Sequence, residues 1–171
     1  MTAAPPEWLE KLYDEHAEAL YRYFLGATRL EADAKDLLQD LFVKIARRPD
    51  CLERITEVRA YLFRMAHNQV IDWARRIKVR RGEGTEPAEG LCLFAVSDDP
   101  DVAEFRRQLE LALGEVPDDQ SEAVRLKLWE RMTFDEIAAA MGVPLNTAAS
   151  RYRYGIEKLR MLLRPIYDEL V

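Results

Sequence analysis

The chain is poor in the residues and patterns that several protein classes require. Its two cysteines, Cys51 and Cys92, lie far apart and in no C-x-x-C pairing, which argues against a disulfide scaffold and suits a reducing compartment. Its two histidines, His16 and His67, have no neighbouring Cys or His at ligand spacing, so no metal site is expected. No apolar run approaches the ~18–20 residues that a bilayer crossing needs, so membrane insertion is not expected. The N-terminal stretch MTAAPPEWLEKLYDEH lacks a basic leader followed by a hydrophobic block. A secretory signal is therefore not expected, and a cytoplasmic location is. No strand periodicity and no internal repeat stands out. Clustered carboxylates or a nucleophile–base pair facing a pocket are missing too. Asp98, Asp99 and Asp101 fall in a stretch that reads as a linker, where they look like solvating charge. Neither an enzyme nor a cofactor is expected.

What is present is helical periodicity. Glu7–Leu25 carries Leu9, Leu12, Tyr13, Ala17, Leu20, Tyr21 and Phe24 at spacings of three and four, an amphipathic pattern. Leu30–Arg47 repeats it with Ala34, Leu37, Leu38, Leu41, Phe42 and Ile45. Pro49 then breaks the chain, and PDCLERITE reads as a loop or a short helical turn. Val58–Arg81 is a third, longer helix. Gly82–Pro100 (GEGTEPAEGLCLFAVSDDP) has glycines, prolines and acids without a period and reads as a linker. Helices are expected again at about Asp101–Gly114, Asp118–Glu130, Thr133–Met141 and Leu145–Leu163. The expected architecture is all-α: two small helical domains, 1–81 and 101–171, joined by the linker 82–100.

The sharpest local signal is MTFDEIAAAMGVPLNTAASRYRYGIEKLRMLL, Met132–Leu163. Thr133 and Glu136 form a T-x-x-E capping box that opens a helix. Gly142 supplies the left-handed residue that ends it, and Pro144 presets the next helix. That next helix turns Ala148, Tyr152, Ile156 and Leu159 inward. Its outer face carries Asn146, Ala149, Ser150, Arg153 and Tyr154, with Arg151 on the flank. Two helices joined by a short turn, the second basic, suit insertion into a major groove. An ordinary helical hairpin with a solvated basic face is the plainer alternative.

A net charge of −6 looks unsuited to DNA until it is divided by segment. Arg59–Arg81 has seven cations against Asp72, and Val143–Arg164 has five against Glu157, so the remainder carries −16. Two cationic helices thus stand on an acidic body, and it is the local patch that attracts phosphate. In the third helix, Tyr61, Phe63 and Trp73 are interleaved with arginines, a composition that suits unpaired DNA. The aromatics also sit at core spacing, where packing is the commoner role. Five cations between Arg75 and Arg81 exceed what a helix dipole requires, which favours phosphate contact.

Three blocks, DAKDLLQDLFVKIAR (Asp33–Arg47), RAYLFRMAHNQVIDWARR (Arg59–Arg76) and the stretch from Val116 to Arg160, resemble those of bacterial extracytoplasmic-function sigma factors. Their order, their spacing and the intervening linker match, over nearly the whole chain. The resemblance implies a promoter-specificity subunit that binds core RNA polymerase through its β′ and β subunits. It further implies recognition of −35 and −10 promoter elements and assistance in opening the DNA. An anti-sigma factor is left open as a further partner.

Carried over residue by residue, the resemblance assigns core-polymerase docking to Asp36, Leu37, Gln39, Asp40 and Phe42. It assigns −10 recognition to the loop 49–58 with Tyr61, Arg64 and Asn68, and phosphate contacts to Arg75, Arg76 and Lys78. A base flipped from the stack costs a few kcal/mol, so a pocket with stacking and hydrogen-bonding partners is required there. It places −35 contacts on Asn146, Thr147, Ser150, Arg151, Arg153 and Tyr154, with Lys127 reaching the DNA backbone. Where the family has Val followed by Lys or Arg, this chain has Ala148–Ala149, which shifts −35 readout toward Ser150, Arg153 and DNA shape. The alternative is a helix-turn-helix regulator acting on duplex DNA alone. Such a regulator would need neither an acidic docking helix nor a basic–aromatic melting helix.

Overall fold

The computed structural model describes residues 5–81 and 100–170. The chain divides into two compact units, with the break between Glu83 and Gly84. The described residues form α-helices and one short 3-10 turn, with no strand among them. The expected linker lies outside the described residues, as do Cys92, Asp98 and Asp99. Its last residue, Pro100, is instead the first residue of a helix, a position where the missing N–H costs nothing.

The first unit holds α1 (Glu7–Thr28), α2 (Glu31–Arg47), a 3-10 turn (Pro49–Leu52) and α3 (Val58–Arg81). Glu7 and Glu10 in the first turn of α1, and Glu31 and Asp33 in that of α2, complement the helix dipole. The helix α1 runs beyond the expected Leu25 because Thr28 and Arg29 supply its end. The Thr28 hydroxyl donates to the Phe24 carbonyl at 2.9 Å, and Arg29, at φ 54°, donates its N–H to the Leu25 carbonyl. The core is Leu20 and Phe24 of α1, Leu41 and Ile45 of α2, and Leu62, Phe63 and Ala66 of α3, all fully buried or nearly so. Tyr23 meets the Phe63 ring edge-on at 5.5 Å. Two polar ties lock α3 to α2: Gln69 Nε2 donates to the Leu37 carbonyl at 3.4 Å, and Trp73 Nε1 to Asp33 Oδ2 at 3.2 Å. Phe63 is therefore core, and Trp73 a tie between α3 and α2.

The second unit holds α4 (Pro100–Glu115), α5 (Asp118–Leu128), α6 (Phe134–Met141) and α7 (Leu145–Leu170). Its buried residues include Leu113, Val124, Leu126, Met132, Ile137, Ala148, Leu159 and Leu163. An ion pair between Arg125 and Glu110, 3.1 Å apart with both side chains largely buried, ties α5 to α4. The last helix continues past Leu163 through Pro165. The proline removes the N–H that would bond to the Met161 carbonyl, but Met161 is 71% exposed, so water can take its place. Beyond the proline, Ile166 packs against the cluster of Leu113, Val124, Leu159 and Leu163, which holds the final turns in place.

Candidate nucleic-acid and protein interfaces

The α2 helix separates its expected docking residues by depth. Asp36, Gln39 and Asp40 are exposed on one face, whereas Leu37 and Phe42 are buried. Phe42 packs on the Tyr13 ring with centroids 4.8 Å apart. The two buried residues thus support the polar face from beneath. Beside it lies a shallow groove between α1 and α2, lined by Leu9, Tyr13, Leu38, Gln39, Phe42 and Val43.

The 3-10 turn brings Cys51 against Tyr61 at the start of α3. Partial burial, and then the neighbouring Cys51 thiol with which it hydrogen-bonds, raise the Tyr61 phenol above its ordinary value, while Arg48 opposes the shift. The phenol therefore stays neutral near pH 7 and keeps its O–H as a donor. Tyr61, Arg64 and Asn68 follow at i, i+3 and i+7, so they share one stripe of α3, with Arg64 and Asn68 exposed. The distal half of α3 exposes Arg75, Arg76 and Lys78, while Trp73 is partly covered and tied to Asp33. Asp72 lies 3.7 Å from Arg75, a surface pair of little energetic weight.

In the second unit the capping box forms as expected. Thr133 N–H donates to Glu136 Oε2 at 2.7 Å, and Glu136 N–H donates to Thr133 Oγ1 at 3.2 Å. Gly142 ends α6 at φ 66°, its N–H on the Ala138 carbonyl. The helix α7 then presents two adjacent stripes: Asn146, Ser150 and Arg153, and Thr147, Arg151 and Tyr154, each at i, i+4 and i+7. The Ser150 hydroxyl donates back to the Thr147 carbonyl at 3.0 Å, which leaves it an acceptor toward a ligand. Arg153 lies 5.1 Å from the centroid of the exposed Tyr154 ring, a cation–π contact that orders both side chains.

Two of the expected contact residues also bond within their own unit. Lys127 Nζ donates to the Met132 carbonyl at 3.0 Å and sits 4.7 Å from the Phe134 ring centroid. Phe134 in turn meets Tyr152 at 5.5 Å. Lys127 therefore pins the turn between α5 and α6 against α7. Arg151 Nε lies 3.1 Å from Asp119 Oδ2 in the first turn of α5. Nothing local in the sequence joins Asp119 to Arg151, because the pairing depends on where α5 crosses α7.

Among the described residues, no group of three or more His, Cys, Asp and Glu side chains could hold a metal ion. No helix there is long and apolar enough to cross a membrane.

Comparison with known proteins agrees with this geometry. Residues 12–80 match the Sigma-70 region 2 family, and residues 106–159 match Sigma-70, region 4. The ECF RNA polymerase sigma factor SigL of Mycobacterium tuberculosis is 27% identical over 165 residues, 96% of this chain and 93% of that protein. RNA polymerase sigma factor CarQ of Myxococcus xanthus is 33% identical over 154 residues, 90% of this chain and 88% of its own length. In fold, the chain is similar to the sigma factor RpoE from Bartonella quintana, solved in complex with the anti-sigma factor NepR. The TM-score is 0.78 at 20% identity, over 93% of this chain and 98% of that one. CnrH, solved with the cytosolic domain of CnrY, gives a TM-score of 0.67 at 22% identity, over 92% of this chain and 88% of that one. The two family matches fall one on each helical unit and together span more than half of the chain, so it belongs to the sigma-70 family of RNA polymerase sigma factors, in the extracytoplasmic-function group.

Proposed function

We propose that this chain binds core RNA polymerase in the cytoplasm and directs it to promoters carrying a −35 and a −10 element, acting as a binding subunit rather than an enzyme. The carrying observation is that each unit matching a sigma-70 region exposes its own cationic helix face, α3 in the first and α7 in the second. The domains are read as region 2 over 1–81, a linker over 82–100 and region 4 over 101–171.

In the first unit the exposed Asp36, Gln39 and Asp40 meet the polymerase β′ subunit, with Leu37 and Phe42 holding their helix in place. The loop 49–58 with Tyr61, Arg64 and Asn68 receives a melted −10 base, while Arg75, Arg76 and Lys78 hold phosphates. Unstacking a base is repaid only where such a pocket offers it new partners. In the second unit Asn146, Ser150 and Arg153 face the −35 base edges, flanked by Thr147, Arg151 and Tyr154. Lys127, which also fixes the turn before α6, reaches the DNA backbone beside this face. An anti-sigma protein is an expected partner, since both solved neighbours were captured with a binding partner, named as an anti-sigma factor for one of them.

The test is multi-round transcription with purified core polymerase and a promoter library, with and without the protein. Start sites appearing only with the protein, preceded by common −35 and −10 sequences, support the reading. Tight unaided binding to duplex DNA with no core binding and no initiation would replace it with a stand-alone regulator.

A further inference from the structure

The pair between Asp119 and Arg151 joins two helices at the edge of the −35-facing surface. Asp119 lies in the first turn of α5, where its Oδ1 accepts the Gln120 N–H at 2.9 Å. That bond fixes the carboxylate rotamer and turns Oδ2 toward α7. There Oδ2 meets Arg151 Nε at 3.1 Å. One helical turn later on the same face of α7 is Gly155, whose missing side chain lets the α5 backbone at Gln120 come close. The pair therefore bridges the tightest part of the α5–α7 crossing.

As a stabilising contact it is weak. The Asp119 side chain is 48% exposed and that of Arg151 26%, and ion pairs this open add little to stability. As a geometric device it is stronger. A guanidinium is a planar fork with five N–H donors, suited to gripping an anion through two parallel bonds. With Nε given to Asp119, N–H groups of Nη1 and Nη2 remain for a second anion. Arg151 stands on the flanking stripe of α7 with Thr147 and Tyr154, beside the stripe of Asn146, Ser150 and Arg153. A flank position faces the sugar–phosphate wall of a groove when the central stripe faces its floor.

We propose that Asp119 is a positioning residue for −35 recognition: it holds the Arg151 side chain by Nε so that its outer nitrogens meet a backbone phosphate beside the recognition helix. The inference rests on the reading of α7 as the −35-reading helix. Its energetic basis is preorganisation, since an arginine ordered in advance loses less freedom on binding. The cost is a carboxylate near the DNA, which lowers the gain without reversing it.

The test uses holoenzyme assembled from core polymerase and the full-length chain. Binding is measured on a promoter fragment selected by the wild-type holoenzyme and on the same fragment with its −35 element scrambled. Removing the carboxylate also removes a negative charge near the DNA, so D119A is measured both in the wild-type chain and beside R151A. The charge effect is common to the two backgrounds, and only the positioning contact needs Arg151. Relative to its effect beside R151A, D119A in the wild-type chain is expected to weaken binding by a further factor of about two to ten, which is what ordering one flexible side chain is worth. R151A alone should flatten the salt dependence by about one phosphate contact.

An effect of D119A that is the same with and without Arg151 would overturn the proposal, because Asp119 would then be acting only through its own charge or on α5. A wild-type holoenzyme indifferent to scrambling of the −35 element would remove the −35 reading itself. Wild-type discrimination together with a D119A effect that does not depend on Arg151 removes only the role of Asp119.

Discussion

Gly155→Ala is a test of how closely α5 and α7 pack, and its sign is diagnostic. In an open helix this change stabilises by about 1 kcal/mol, because alanine has less backbone freedom to lose. At Gly155 the added Cβ would stand 2.7 Å from Val124 Cγ2 and 2.9 Å from the Gln120 carbonyl oxygen. Neither neighbour yields cheaply. Val124 is fully buried, and a β-branched side chain in a helix has one strongly preferred rotamer. The Gln120 oxygen belongs to the backbone of α5. The helices must part by roughly half an ångström, and overpacking of this kind costs about 1–3 kcal/mol. After the propensity gain, a net loss of about 1 kcal/mol, and up to 2, is expected in the second unit.

Hydrogen exchange followed by mass spectrometry on the full chain reads this locally. Amides of α5 and α7 should exchange about five- to thirtyfold faster, the factor that 1–2 kcal/mol of lost stability gives. Amides of α1 to α3 serve as the internal control and should not change. Slower exchange in α5 and α7 would refute the reasoning, because it would mean that the propensity gain won and the crossing had room to spare.

Three further outcomes follow from particular contacts. Removing Glu110 or Arg125 singly takes away one side of this largely buried ion pair and should destabilise the second unit, by about 3–5 kcal/mol at most, in urea unfolding; replacing both with apolar residues should cost much less. The His16 imidazole is held below its ordinary 6.5, chiefly by burial, with Arg59 adding to the shift and Glu15 opposing it. Because the folded state binds its proton less readily than the unfolded chain, the contribution of His16 to the stability of the first unit is fully present above pH 6.5 and is lost as pH falls below it toward the lowered folded value; H16N should flatten that slope in denaturation measured across the window. Replacing Gln39 and Asp40 with Ala should weaken binding to core polymerase by about 1 kcal/mol or more each if they are central contacts, with helicity by circular dichroism unchanged; undiminished affinity in competition for core would remove α2 as the docking helix.

Much of this protein is legible along the chain because it is decided within one helical turn. The amphipathic spacing of α1 and α2 depends on neighbours three and four residues away, as do the capping box of Thr133 with Glu136 and the left-handed Gly142. So does the clustering of cations along α3 and α7, which, with the block order, was enough to suggest the family. The ends of helices were less legible. Thr28 and Arg29 close α1 through a hydroxyl bond and a left-handed arginine, neither of which a periodicity signals. The proline at 165 is carried because Ile166 packs beyond it on residues from other helices.

What only the tertiary structure decided is which side chain on one helix meets which on another. Asp119 and Arg151, Glu110 and Arg125, and Trp73 and Asp33 are pairs made by helix crossings rather than by spacing. The contact of Lys127 with Phe134 and the need for no side chain at Gly155 arise in the same way. Local rules act over a few ångströms along one backbone, so residue order by itself determined the helices and their charged faces. Contacts between helices depend on crossing points and interaxial distances set by the whole packed core, and these determined which of the charged residues pair across helices and which remain turned toward solvent.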